Sequence, residues 1–139
     1  MIFKKRKKAL KLLCITQLFI LGCVSKTYSQ TKISAKEALT HVGERVTICD
    51  EVYSSKLMDQ SKTTLLYLGG SYPDELLIIK IAGHFRNKFN ISPEEIFLGK
   101  QISVTGKVVN CHGKPEILVS DPLQIQLTFM DDLGKSNFN

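Results

Sequence analysis

Leu98 to Ile125 reads LGKQISVTGKVVNCHGKPEILVSDPLQI, and this stretch decides what kind of domain the chain builds. Ile102, Val104 and Val108 alternate with Ser103, Thr105 and Lys107, the period-two pattern of a strand with one buried face. Gly106 interrupts the run where a strongly bent strand needs a residue without Cβ. His112-Gly113-Lys114-Pro115 supplies turn chemistry: Gly113 allows positive φ, and Pro115 cannot continue a central ladder. Glu116-Ile117-Leu118-Val119 resumes the alternation, and Asp121-Pro122 ends it. The segment is a bent strand, a hairpin and a closing strand followed by Pro122-x-Gln124-Ile125.

Outward toward the N-terminus, the first thirty residues have a different character. Lys4, Lys5, Arg6, Lys7, Lys8 and Lys11 precede an apolar run from Leu12 to Val24, broken only by Thr16 and Gln17. A basic n-region, a short apolar stretch and small residues near a cleavage point read as a bacterial export signal. The run falls short of the roughly 20 apolar residues a membrane-spanning helix needs. Two processing routes are compatible with it. Thr27-Tyr28-Ser29 before Gln30 suits ordinary signal peptidase and gives a leader of 1–29. Ile20-Leu21-Gly22-Cys23 resembles a lipobox, giving a leader of 1–22 and making Cys23 the lipidated first residue. Either route takes the protein out of the cytoplasm, to a periplasmic, envelope-anchored or secreted destination.

The leader also governs the charge. The whole chain is formally +6 with a pI near 9.2. Seven of the 19 Lys and Arg lie in the leader, leaving twelve against 13 Asp and Glu, all after residue 30. The mature part is therefore near −1, and its global charge does not argue for nucleic acid. It is long enough for one domain and too short for two. It keeps two cysteines, Cys49 and Cys111. Alternation places both away from the core, so an oxidising compartment invites a disulfide between them, against the alternative of two unpaired thiols. Cys111-His112 has no second ligand pair at usable spacing, so no zinc site is expected.

Along the mature chain, Ser34 and Glu37 have capping-box spacing, and a short helix is predicted through Ala38, Leu39 and Val42, stopped by Gly43. Arg45 to Tyr53 is the first predicted strand, Ser54 to Lys62 a polar first loop, and Thr63 to Leu68 the second strand. Gly69 to Asp74 is rich in turn residues. Leu76 to Ala82 is almost continuously apolar and reads as a third strand buried on both faces. Ser92 as N-cap, Pro93 at N1 and Glu95 at N3 mark a helix start, with Ile96, Phe97 and Leu98 as its apolar contact and Gly99 as its stop.

Several of these pieces together resemble a known family. Val46-Thr47-Ile48-Cys49, Leu68-Gly69-Gly70-Ser71-Tyr72-Pro73, Phe85-Arg86-Asn87-Lys88-Phe89, Gly99-Lys100 with Val104-Thr105-Gly106-Lys107-Val108, and Gly113-Lys114-Pro115-x-Ile117 resemble the OB-fold nucleic-acid-binding domains of small exported bacterial proteins, especially Bacteroidetes-type ones. Asp50 stands where such domains usually have Gly. The resemblance implies an all-β, five-stranded OB-fold Greek-key barrel, with a short helix between strands three and four and a short N-terminal helix. The expected organisation is a leader over 1–29, an N-terminal extension with its helix over 30–42, the barrel over 43–128 and a flexible tail over 129–139.

No catalytic constellation appears. His41, His84 and His112 lie in separate segments with no nucleophile motif beside them. Asp50-Glu51, Asp74-Glu75, Glu94-Glu95 and Asp131-Asp132 are neighbours in sequence, and neighbours on a strand face opposite ways. There is no phosphate-cradling or nucleophile-elbow motif. The reading is a non-enzymatic binding protein that calls for no cofactor or metal. Its ligand is single-stranded nucleic acid, or alternatively a small envelope ligand or protein partner. The residues available for nucleic acid are Tyr67, Tyr72, Arg86, Lys88, Lys107, His112 and Lys114, aromatics to stack on bases and cations to follow phosphates. Phe85 and Phe89 serve equally as core anchors under the helix, Tyr72 as turn packing, and Lys107 and Lys114 as solvated surface.

The export reading is checked by mass spectrometry of protein recovered from the envelope fraction. The expected N-terminus is Gln30 or a lipid-modified Cys23; a product retaining Met1 to Lys11 overturns both.

Overall fold

The computed structural model describes residues 31–129. The leader, Cys23 and the tail from 130 onward lie outside them. Seven strands follow in chain order: β1 (Lys32–Ile33), β2 (Arg45–Met58), β3 (Thr63–Leu68), β4 (Leu77–Ile81), β5 (Gln101–Cys111), β6 (Lys114–Val119) and β7 (Ile125–Leu127). Five of them close a ring in the order β2-β3-β4-β6-β5, with β5 pairing back onto β2. All ring pairs are antiparallel except β4 with β6. That order is a five-stranded Greek-key barrel, the OB fold. β1 adds to β2 in parallel and β7 to β5 antiparallel, two short extensions whose lengths of two and three residues hide them from any periodicity.

The ring closes because β2 and β5 each serve two neighbours. The first half of β2 pairs with β5 from Arg45↔Lys107 to Glu51↔Gln101, and its second half pairs with β3 from Val52↔Leu68 to Met58↔Thr63. The register shifts between Val52 and Ser54, where the strand turns from one sheet to the other. The predicted first loop is thereby corrected: strand continues through Met58, and only 59–62 turn. Ser54, Ser55 and Lys56 are exposed or half-buried, so that half of β2 carries no apolar stripe to read.

β5 passes from β2 to β6 after Lys107, and Gly106 permits it. A Cβ at Gly106 would lie 2.4 Å from Ile117 Cγ2, so β6 packs directly against bare backbone there. The β5–β6 turn is two residues long, with His112 at φ 52° and Gly113 at φ 83°, the pattern of a type I′ hairpin. Asn110 Oδ1 accepts the Gly113 N–H at 2.8 Å. β6 starts at Lys114, earlier than predicted. Pro115 is tolerated because the β4 ladder begins only at Glu116.

Side chains such as Ile48, Leu66, Ile79, Val104, Ile117 and Val119 fill the barrel and are fully buried. β4 is buried on one face, not two: Leu77, Ile79 and Ile81 point in, Ile78 is half-covered and Lys80 is exposed. The N-terminal helix is a 3-10 helix, Ala35–His41. Its three-residue period puts Ala35 and Ala38 against the barrel and leaves Leu39 exposed, and Val42, the C-cap, is exposed as well. Asp50 fixes that helix: its Oδ2 accepts the Ala35 N–H at 2.9 Å. Between β4 and β5 run two single turns, α1 (Gly83–Arg86) and α2 (Pro93–Ile96), in place of one predicted helix. Phe97 is buried beneath them and meets Phe89 edge-on at 6.2 Å, while Phe85, Phe89 and Ile96 pack onto the core. Leu98, predicted to share that contact, is exposed.

Gln124 finishes the barrel. Its Oε1 accepts the N–H groups of Ser120 and Asp121, and its Nε2 donates to Thr105 O at 3.1 Å, tying the end of β6 to β5. Gly106→Val is expected to destabilise the domain by about 1–3 kcal/mol through overpacking against Ile117, read from the urea midpoint. An unchanged midpoint would mean that Ile117 has room to move.

Candidate functional site

Register places one line of side chains around the outside of the barrel. Lys56 on β2 stands opposite Leu65 on β3, Leu65 opposite Lys80 on β4, and Lys80 beside Leu118 on β6. The β5–β6 ladder ends at the Val108↔Ile117 pair, so Lys107 and Leu118 are the first residues past it on their strands, and Lys107 is itself opposite Arg45 at the start of β2. Cation and leucine therefore alternate from Lys56 to Lys107, and Arg45 adds a second cation beside Lys107. Lys56, Lys80, Lys107 and Arg45 are exposed, Leu118 is 50% exposed and Leu65 is half-buried. With strands about 4.8 Å apart, successive lysines of the belt are spaced roughly 10 Å apart. Lys107 is among the candidates read from the sequence. Lys56 and Lys80 are not, because the pattern around one reads as loop and around the other as a doubly buried strand.

The adjacent line, Ser54, Tyr67, Ile78 and Glu116, lies two residues along each strand. Tyr67 is 4% exposed, covered by the 69–76 connection. Desolvation pushes its phenol above the usual value, with the charge of Glu75 and the neighbouring Tyr72 adding to the effect. Tyr72 is 69% exposed, its ring tilted 51° to that of Tyr67 at 5.6 Å between centroids. Ser54 Oγ accepts the Tyr72 N–H at 3.3 Å. The structure brings the two candidate tyrosines together, but only Tyr72 offers an exposed ring. Lys114 reaches this loop from the hairpin. Its Nζ donates to Pro73 O at 2.9 Å and Glu75 O at 3.1 Å, and it lies 3.3 Å from Glu75 Oε1.

Arg86 and Lys88 are elsewhere and already engaged. Arg86 Nη2 bonds Glu94 Oε1 and also donates to Ser92 Oγ at 3.2 Å, and Nε donates to Glu94 Oε2. Ser92, placed correctly as N-cap, makes no side-chain cap bond. Glu94 is more than a helix-terminus charge, since it also accepts from Thr64 Oγ1 at 2.9 Å and so bolts α2 to β3. Lys88 Nζ donates to Ser120 O at 3.1 Å and sits 5.1 Å above the Phe85 ring. His112 occupies the hairpin turn in the left-handed region and is exposed.

The disulfide is not formed. Cys49 pairs with Ser103 and Cys111 with Lys114, so the two thiols are separated by eight residues of β5, roughly 26 Å of extended strand, far beyond disulfide reach. Period-two phase gives the face correctly but says nothing about position along the strand. Among the described residues no group of three His, Cys, Asp or Glu side chains is placed to hold a metal. A groove of about 520 Å³ opens at the far end, lined by Phe89, Ile91, Phe97, Ile125, Leu127 and Phe129.

No protein-family model matches this sequence. No curated protein matches it either. Among solved structures the chain is similar to one described as an aspartyl-tRNA synthetase from Leishmania major Friedlin, at 16% identity and a TM-score of 0.46 over 76% of this chain and 22% of that one. It is also similar to yeast Stn1 and Ten1, at 13% identity and a TM-score of 0.48 over 78% of this chain and 69% of that one. The fold assignment stands on strand order and register, independently of both likenesses. The chain spans under a quarter of the synthetase chain's length.

The Arg86–Glu94 pair makes acid stability testable. Burial raises the Glu94 carboxyl, but its bonds from Arg86, from its own backbone and from Thr64 outweigh that and hold it below its ordinary 4.5. Because the folded-state value lies below the unfolded one, this carboxylate stabilises the fold above about pH 4.5 and loses that contribution as pH falls through the folded value. Arg86→Met is expected to raise the Glu94 titration midpoint, followed by carboxyl carbon NMR, and to move the acid limb of the stability profile to higher pH. A titration identical to wild type would sink the assignment.

Proposed function

We propose that this chain is a non-enzymatic, exported OB-fold protein that binds single-stranded nucleic acid with little sequence preference. The observation that carries the reading is the Lys56–Leu65–Lys80–Leu118–Lys107–Arg45 belt, with the free Tyr72 ring at its flank. Single strands are held on such barrels by cations that track phosphates and by flat or apolar groups that take bases. A line that crosses the strands and alternates charge with apolar surface offers both at a regular interval. Non-specificity follows from the belt's chemistry: lysines contact phosphates without reading bases, and leucine has no hydrogen-bonding edge. The basic and apolar leader, read from the sequence as an export signal over 1–29 or 1–22, is the support for a site of action outside the cytoplasm.

A second reading, an envelope module for a small apolar ligand or a protein partner, is favoured by the groove beside β7. Its volume and aromatic lining fall within the range of small-molecule sites.

Fluorescence anisotropy with a labelled oligonucleotide separates the two. The belt is expected to give weak, salt-sensitive binding, because released counterions drive it. Lys56→Gln with Lys80→Gln should flatten the log K against log salt slope by about 1.4, near 0.7 for each phosphate of a single strand that is no longer neutralised. Absence of binding at about 50 mM salt and about 100 μM protein, weaker than non-specific contacts ordinarily give, overturns the nucleic-acid reading.

A further inference from the structure

We infer that Lys114 is a positioning residue, whose ammonium group clamps the 69–76 connection to the β5–β6 hairpin and thereby holds the Tyr72 ring out as the base-stacking shelf of the belt. This inference rests on the nucleic-acid reading of the face and deepens it.

Lys114 has the appearance of a phosphate ligand in sequence, in a Gly-Lys-Pro turn at the edge of the face. Its geometry assigns it another task. An ammonium group has three N–H donors, and here Nζ is shared among Pro73 O, Glu75 O and Glu75 Oε1, all within 3.3 Å. Two of its donors are held by carbonyls and its charge faces the Glu75 carboxylate, so the group is committed to the loop rather than left open for a phosphate. The Glu75 side chain is 4% exposed, and its Oε2 has no hydrogen-bond partner, so Lys114 is the cation that compensates a carboxylate taken out of water. The two carbonyls it holds belong to Pro73, directly after Tyr72, and to Glu75, directly before Leu76, whose N–H closes the connection on Leu68 O at 3.0 Å. From the other side, Ser54 Oγ holds the Tyr72 N–H. Tyr72 is thus fixed between β2 and the hairpin while its ring stays 69% exposed. An exposed aromatic held this firmly loses little freedom when a base stacks on it, which is how preorganisation strengthens binding.

The test uses Lys114→Met, Lys114→Arg, Tyr72→Ala and the Lys114→Met/Tyr72→Ala double variant. Hydrogen exchange reads the clamp without any ligand. In Lys114→Met the amides of Asp74 and Leu76 are expected to exchange about tenfold faster or more, as local opening becomes easier, while core amides such as that of Ile79 stay protected. Unchanged exchange at Asp74 and Leu76 overturns the clamp. Oligonucleotide affinity then reads its consequence. Lys114→Met should weaken binding about as much as Tyr72→Ala, within the roughly 5- to 150-fold span of one stacking contact, and should leave the salt slope unchanged. The double variant should be no weaker than Tyr72→Ala alone, and Lys114→Arg should restore part of the loss. A slope flattened by about 0.7, with a loss that persists in the Tyr72→Ala background, overturns the inference and makes Lys114 a phosphate contact. If the wild type binds no oligonucleotide, the function reading fails, and the exchange data alone decide the clamp. Should Lys114→Met fold poorly with Glu75 left uncompensated, Lys114→Met/Glu75→Gln removes the stranded charge and carries the same measurements.

Discussion

The backbone ladder between the first half of β2 and β5 is what makes this chain a barrel. Without the run from Arg45↔Lys107 to Glu51↔Gln101, the remaining strands would form an open sheet with two bare edges. The ladder is possible only because both strands bend out of one sheet into another, β2 at its register shift after Val52 and β5 just past Gly106. Everything outside the barrel is arranged around that closure. Gly99 N–H bonds Val52 O and Val52 N–H bonds Lys100 O where β2 turns, and Gly43 N–H bonds Val108 O where the two strands part. The belt exists for the same reason: a line of outward side chains can pass from Lys56 round to Arg45 on the same strand only if that strand contributes to both ends of the ring.

The division of labour among charges explains why composition hides the candidate face. Most of the acidic groups that reach into the structure hold it together. Asp50 accepts the Ala35 N–H at the start of the N-terminal 3-10 helix, Asp121 accepts the Leu123 N–H and caps the 3-10 turn Pro122–Gln124, Glu37 reaches back to the Ser34 N–H, Glu94 joins α2 to Arg86 and Thr64, and Glu75 is buried under Lys114. The lysines of the belt make no comparable bonds; no hydrogen bond from Lys56, Lys80 or Lys107 is formed among the described residues' side chains. Over residues 31–129 eleven Lys and Arg balance eleven Asp and Glu, so the sum conceals that several acids are engaged in structure while Arg45, Lys56, Lys80 and Lys107 lie along one line of surface, with Glu116 bordering it.

What can be read from the sequence follows the reach of each signal. Strong alternation identifies β5 and the inner positions of β6, and the His112-Gly113 turn sets their register. β3 is legible to the residue. The second half of β2 is not, because neither of its faces is a continuous apolar stripe, and β1 and β7 are too short to carry any period. Lys80 shows the opposite failure: Leu77-Ile78-Ile79-Lys80-Ile81 is apolar enough to suggest burial on both faces, whereas only its alternate members face the core. The candidate site suffers most, because membership of the belt is a property of cross-strand register, and register between strands far apart in sequence leaves no local trace. Lys114 stands out by its type and position, but that its partners are Pro73 and Glu75, about forty residues away, becomes visible only once the barrel is closed.

The mixture of one parallel pair with long-range antiparallel pairs also dictates how the chain reaches this state. The β5–β6 hairpin is local, joined by two residues, and can form in about 1–10 μs. The pairing of Ile78 with Glu116, and still more that of Arg45 with Lys107, must wait for loops of tens of residues to close. Folding of such non-local topologies takes roughly milliseconds to seconds. Until those loops close, the β2–β3–β4 meander and the β5–β6 hairpin each leave an inward apolar row uncovered, Ile79 and Ile81 on one piece and Ile117 and Val119 on the other, and uncovered rows of that kind are what draws folding chains to one another.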